Sequence, residues 1–254
     1  SWFAHRLPDR FHRVETLGNH IVELAVPFLY FAPQPFAAVG GVATIGFQGW
    51  LMLTGNFAFL NALTIVQSVA LFSDGVLTSL LPIAAPAPTP TPAWLSALSI
   101  LLAILVVALS IQPTANMLSR SQVMNTAFDP LKLVNTYGAF GSVTTDRFQL
   151  VIEGTDASNP TADDWQAYVF KGQPVATDER PPQWAPYHLR LDWQLWFAAM
   201  RPQPGPRQRW FNSFLAALLD NDAATLSLLE SNPFPDKPPE QLRVLRYRYR
   251  FTTR

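Results

Sequence analysis

From residue 24 to residue 119 the chain carries a single charged side chain, Asp74. A water-facing helix needs charged or strongly polar groups along its outer side, and a stretch of this length has almost none to offer. Hydrocarbon suits such a segment, since a charge at the bilayer centre costs about 2.5–3.5 kcal/mol on insertion scales. The chain as a whole has 18 basic and 18 acidic residues among 254, and 29 of these charges lie from Arg120 onward. An apolar first half and a polar second half follow. The zero net charge leaves no general basic field, so nucleic acid is not expected as a partner, whereas the lipid bilayer is.

A spanning helix needs about 20 mostly apolar residues. Residues 17–32 are apolar apart from Asn19, His20 and Glu23 at the entrance, and end at Pro33-Gln34-Pro35, where missing N–H groups break a helix. Residues 36–53 follow. Residues 57–72 contain Asn61, Thr64, Gln67 and Ser68 and read as a span, a buried helix or a re-entrant segment. Residues 94–111 are uncharged and form the cleanest window. Ala37 with Gly41 and Gly40 with Thr44 place small residues four apart, which lets helices approach closely. The fold class expected is therefore a membrane α-helical bundle of three to four hydrophobic helices followed by a soluble α+β domain with antiparallel strands.

The Pro/Ala/Thr run at 82–93 cannot form a regular helix and reads as an extended loop outside the bilayer. The membrane region is thus placed at 1–118, a connector at 119–134, and the α+β domain at 135–254. In that domain, residues 147–154 and 165–172 alternate as two strands of a hairpin. Residues 187–197 read as a mostly buried helix, and residues 210–230 as a second helix that Asn221-Asp222 threatens to break. Residues 243–251 end the chain as a strand, with Tyr247, Tyr249 and Phe251 on one face and Arg246, Arg248 and Arg250 on the other. Such a strand is expected to have a core face and a solvated face.

Without cysteine there are no disulfides, thiolate nucleophiles or cysteine-rich metal sites. No Gly-x-Ser-x-Gly elbow and no phosphate loop occurs, so no catalytic residue, metal or cofactor is assigned. The start at Ser1, with no basic leader or cleavage site, reads as a fragment of a longer membrane protein.

Residues 11–24 (FHRVETLGNHIVEL), Gly55-Asn56-Phe57, Phe59-Leu60-Asn61, Asn135 through Thr144, Pro186 through Trp193 with Trp196 to Ala199, and Asn232-Pro233-Phe234 resemble the lipase maturation factor family. The resemblance runs in order across nearly the whole chain. It implies a polytopic membrane protein, resident in the endoplasmic reticulum in animals, that secreted lipases need in order to fold and assemble into active homodimers. It also implies a folding factor and not a hydrolase, additional spans before Ser1, and a lumenal or extracytoplasmic soluble domain. Any thiol-based help to a client is absent from this cysteine-free chain.

Two sets of residues are candidates for function. Polar groups at membrane depth are costly and suggest a role. Glu15, Asn19 and Glu23 share a helix face, with His12 and His20 beside them, and Asp74 sits in a turn-like context. The five entrance residues His12, Glu15, Asn19, His20 and Glu23 support an alternative reading as a membrane enzyme or transporter, although their spacing is poor for a metal site. The second set is Tyr137, Tyr187, His188, Arg190, Asp192, Trp193 and Trp196, which either bind a client or structure the domain. Arg190 and Asp192 are expected to form a partly buried ion pair. By the positive-inside rule Arg6, Arg10, Arg13 and Arg120 all belong in the cytoplasm, which an even number of spans satisfies. The sidedness implied by the family fits an odd number, with 57–72 re-entrant.

Overall fold

The computed structural model describes residues 2–56, 59–82, 84, 87, 89–136, 146–200 and 209–251. Tyr137 and most of the Asn135–Thr144 motif lie outside the described residues. The chain forms two compact units, one of Ser1–Ile83 with Asp146–Arg254 and one of Ala84–Thr145.

The first unit begins with helices α1 (Trp2–His5), α2 (Asp9–Leu24), α3 (Val26–Leu29), α4 (Phe36–Thr54), α5 (Leu60–Ser68, extended by a 3₁₀ turn at Val69–Leu71) and α6 (Asp74–Leu80). The span expected at 17–32 is not one helix. Pro27 has no N–H for the carbonyl of Glu23 and restricts Val26 before it, so the helix stops at Leu24 and restarts as α3. Its start lies earlier than expected, at Asp9, and takes in Arg10, Arg13 and Glu15. Among the described residues two helices are long and apolar enough to cross a membrane, Phe36–Thr54 and Ala93–Met117. A third crossing arises if α5 and α6, bent by 115° at their junction, count as one broken span. Among the described residues the count is thus two, or up to three, where three to four hydrophobic helices were expected.

The small-residue spacing in α4 is used for packing. Ala37, Gly40, Gly41 and Thr44 are its buried positions. A Cβ on Gly40 would lie 3.1 Å from the Tyr30 ring, and one on Gly41 would lie 3.1 Å from the Phe72 ring. Thr44 donates to the Gly40 carbonyl at 2.9 Å, and the Tyr30 hydroxyl meets its Oγ1 at 2.5 Å. Asn61 of α5 donates to the Gln48 side chain at 2.6 Å, one of the cross-helix bonds that polar residues at membrane depth supply.

The second unit contains α7 (Ala93–Met117). This helix outruns the expected end at Ile111 because Pro113 is accommodated inside it, at the loss of one bond to the Leu109 carbonyl. Beyond it, the Asn116 side chain holds both main-chain groups of Val123, at 3.0 and 2.8 Å, and Ala127 bridges antiparallel to Asn135. The described residues of the Pro-rich run before α7 lie outside helices and strands.

The first unit resumes with β1 (Arg147–Thr155), β2 (Gln166–Ala167), β3 (Val169–Phe170), α8 (Arg190–Ala199), α9 (Arg209–Leu219), α10 (Ala223–Leu226), β4 (Leu229–Ser231) and β5 (Gln241–Tyr249). The sheet β2-β1-β5 is antiparallel, and β1 pairs with β5 from Arg147↔Tyr249 to Thr155↔Gln241. The expected hairpin survives only as Glu153↔Ala167 and Gly154↔Gln166. Residues 165–172 are not one strand, since Tyr168 turns into the core and β3 leaves to pair with β4. The helix expected over 210–230 ends at Leu219. Asn221 adopts a positive φ of 52°, Asp222 caps α10 through the Thr225 amide, and Leu229 to Ser231 are strand.

Ile152, Tyr168, Leu195, Ala199 and Leu218 are fully enclosed between β1, α8 and α9, joined by Phe170, Phe214 and Phe234. Arg246 lies on the α8 side of β5. Its Nε donates to the Ala199 carbonyl at 2.7 Å, its guanidinium covers the Phe148 ring at 3.5 Å, and a cation so placed also favours the C-terminal end of α8. The opposite face carries Tyr249, half-buried, whose ring meets Phe251, and Phe251 in turn meets His5 of α1 at 4.9 Å. Both faces of β5 are therefore partly covered, and its arginine row is not simply solvated.

Candidate functional site

The six residues of the polar membrane set do not converge. His12 Nδ1 lies 3.3 Å from Glu15 Oε2, and Glu15 Oε1 accepts from Trp50 Nε1 of α4 at 2.7 Å. His20 turns back to its own helix, with Nδ1 at 2.6 Å from the Thr16 carbonyl. Asn19 is half-buried and Glu23 exposed on α2. Asp74 is exposed at the first residue of α6, just past the Phe72 that covers Gly41. Gly41 lies in the N-terminal third of α4 and Trp50 near its C-terminal end, about 13 Å apart at 1.5 Å per residue. Asp74 and the His12–Glu15 pair thus belong to opposite ends of α4. Among the described residues no group of three or more His, Asp or Glu could hold a metal ion.

The C-terminal end of α4 is where the helices meet the α+β part. Gln183 Nε2 donates to the carbonyls of Met52 at 2.7 Å and Gly55 at 2.8 Å, satisfying acceptors that a helix end leaves open. Asn56 donates to the Pro182 carbonyl at 2.6 Å and accepts the Trp184 amide at 2.6 Å. Phe59 meets the His188 ring edge-on at 6.4 Å. Nearby, Arg180 stacks over Trp2 at 4.7 Å and Phe3 at 5.1 Å. Sequence reasoning missed Gln183 because the Pro-rich stretch at 174–186 has no periodicity to mark it, and it met Asn56 within the Gly55-Asn56-Phe57 motif. The Pro residues hold that stretch extended, which lets it bond a helix end through side chains and main chain alike.

Beside this junction opens a cleft of about 740 Å³. Tyr187, His188, Arg190 and Asp192 of the second candidate set line it, together with Trp184, Trp210, Lys171 and Glu230. Trp184 is fixed as a wall by its Nε1, which donates to the Lys171 carbonyl at 2.7 Å. Lys171 Nζ donates to the Ser227 carbonyl at 2.9 Å. Trp193 is 40% exposed and stacks edge-on against His188 at 5.1 Å and against Phe197 at 4.6 Å. Tyr187 is 67% exposed, whereas Trp196 is half-buried against Phe197.

The expected Arg190–Asp192 ion pair is not formed. Residues two apart on a helix point in different directions. Asp192 is 7% exposed and its Oδ1 accepts from the Gly172 amide at 2.8 Å, while its main-chain carbonyl accepts from Gln173 at 2.7 Å. Burial raises its carboxyl above the ordinary value, against the lowering pull of main-chain hydrogen bonds from Gly172, Asp192 and Gln173 and of Lys171.

Residues 1–79 match the model of the lipase maturation factor transmembrane domain, and residues 133–254 that of the lipase maturation factor C-terminal domain. The chain belongs to the lipase maturation factor family. The chain is 42% identical to bovine lipase maturation factor 1 and 40% identical to the human protein of that name, over 99% of this chain and 48% of each relative. To mouse lipase maturation factor 2 it is 25% identical, over 99% of this chain and 50% of the relative. The chain thus spans about half the length of the curated relatives it matches. No solved structure matches it. The family's transmembrane domain, together with the two apolar helices of spanning length, makes this lipase maturation factor relative a membrane protein.

Proposed function

We propose that this chain is part of a membrane-anchored maturation factor that assists the folding or assembly of secreted lipases. The membrane is that of the endoplasmic reticulum in a eukaryotic host and the cytoplasmic membrane in a bacterial one, with the α+β domain, residues 135–254, on the lumenal or extracytoplasmic side. The identity of 40–42% to lipase maturation factor 1 over nearly the whole chain carries this reading. Support comes also from the exposed aromatics Tyr187 and Trp193 next to the junction, since aromatic side chains anchor protein interfaces. The helices hold this surface close to the membrane, where a newly exported client arrives.

The alternative, a membrane enzyme or transporter working through His12, Glu15, Asn19, His20 and Glu23, has less support, because among these His12 and Glu15 form the contact that joins side chain to side chain. The two readings separate in one experiment. The full chain is co-expressed with a secreted lipase, and the active dimeric lipase is measured, alongside co-purification of the lipase with the membrane fraction. Active dimer is expected to rise with the chain present and to fall with the Tyr187→Ala/Trp193→Ala double variant. Unchanged lipase dimer with and without the chain defeats the proposal, and loss confined to Glu15→Gln would move function to the helices.

A further inference from the structure

The cleft beside α8 is placed and lined in a way that client binding alone does not explain. Its wall residue Trp184 directly follows Gln183, which bonds the Met52 carbonyl in the last turn of α4 and the Gly55 carbonyl just past it, and gives its own amide to Asn56 beyond the end of that helix. With α4 crossing the bilayer, the end of α4 at Thr54 marks the edge of the hydrocarbon, and Trp184 and Tyr187 stand at headgroup level, the depth that Trp and Tyr favour. The cleft therefore opens next to lipid headgroups.

Its lining has two kinds of surface. Lys171 and Arg190 are cations. Lys171 uses one donor on the Ser227 carbonyl, and Arg190 makes no ion pair among the described residues. Together they suit a phosphate, which Arg in particular can bind through two N–H groups. Trp184, Tyr187 and Trp210 present aromatic surface and Glu230 a carboxylate, the combination that attracts an ammonium group. A simple anion would leave the aromatic side and Glu230 unused, and an anionic lipid would meet Glu230 with like charge. A group carrying phosphate and ammonium a few bonds apart uses both. The volume of about 740 Å³ falls in the range of small-molecule sites.

We propose that this cleft binds the headgroup of a zwitterionic phospholipid, its phosphate on Arg190 and Lys171 and its ammonium against Trp184, Tyr187, Trp210 and Glu230. The site rests on α4 crossing the membrane and does not depend on the client reading, so it is tested with no lipase present. Such a lipid would fix the domain against the membrane surface.

The full chain, purified in detergent and stripped of lipid, is offered equal amounts of phosphatidylcholine and phosphatidylglycerol, and the lipid retained is read by native mass spectrometry. One phosphatidylcholine per chain is expected, displaced by glycerophosphocholine and not by the same concentration of inorganic phosphate. Arg190→Ala and Tyr187→Ala, both at exposed positions, each weaken retention about fivefold, while Lys237→Ala leaves it unchanged. Unaltered melting temperatures show that both cleft variants are folded. Equal retention of the two lipids, displacement by phosphate alone, or full retention in both cleft variants overturns the proposal. Displacement by an unstructured client peptide and not by glycerophosphocholine also overturns it, and assigns the cleft to polypeptide.

Discussion

Gln183 Nε2 lies 2.8 Å from the Gly55 carbonyl, joining the Pro-rich segment before α8 to the end of α4 across 128 positions of sequence. The same nitrogen reaches the Met52 carbonyl, and Asn56 returns two bonds to Pro182 and Trp184. Two side chains thus supply the hydrogen bonds at this junction, beside the ring contacts of Phe59 with His188 and of Arg180 with Trp2 and Phe3. Replacing Gln183 or Asn56 by Ala is expected to lower stability by about 1 kcal/mol per bond lost. A double-mutant cycle on the full chain should show coupling, because both side chains hold one segment. Strict additivity of the two effects would mean that the segment is held by other contacts.

The clasp also makes a prediction about sides. The chain contains no cysteine, so introduced thiols report without background. With α4 crossing the bilayer, Thr54→Cys and Glu179→Cys are labelled by a membrane-impermeant maleimide from the same face. Gln34→Cys, whose native side chain bonds the Leu71 carbonyl beyond the opposite end of α4, is labelled from the other face. Labelling of all three positions from one side would show that α4 does not cross.

Asp192 makes stability depend on pH. Its carboxyl is raised in the folded chain by burial, so the folded state binds its proton more tightly than the unfolded state does. Its contribution is present in full below the ordinary carboxylate value and is lost as pH rises through the raised one. Asp192→Asn should therefore flatten the pH dependence of melting in that window while keeping an acceptor for the Gly172 amide. An identical pH profile in the variant would mean that Asp192 is ionised without penalty.

Tyr168 is fully enclosed, and its hydroxyl has no hydrogen-bond partner among the described residues. Burial pushes its pKa up to about 12. A hydroxyl buried without a partner costs about 1–3 kcal/mol. Tyr168→Phe is expected to raise the melting temperature, and a lowered one would reveal a partner for the hydroxyl.

Gly154 lies where a Cβ would come within 2.6 Å of Phe234 Cε2 and 3.1 Å of Pro239 Cβ. Phe234 is itself buried in the core against Tyr168, so the ring has little room to move. Gly154→Ala should destabilise by about 1–3 kcal/mol through overpacking, measured by chemical denaturation. A neutral effect would show that Phe234 can swing aside.

The sequence alone determined the solvent of each half and the local structure within it. One charge between residues 24 and 119 fixes a membrane environment because no outer polar face can be built from what is left. The small residues of α4 marked its packing stripe, since only a missing side chain lets Tyr30 and Phe72 approach that closely. Alternation foretold β1 and β5, and the quoted motifs disclosed the family. Tertiary structure decided what periodicity cannot encode. Pairing of β1 with β5, the transfer of β3 to β4, and the use of Arg246 on the end of α8 depend on which distant strand and helix lie alongside. The Asp192 partner was decided in the same way, because helix geometry turned Arg190 aside and the Gly172 amide came from the bend that follows β3. The junction at Gln183 was least legible of all: a side-chain amide in a Pro-rich stretch has no pattern of its own, and its meaning comes from the open carbonyls at a helix end far away in sequence.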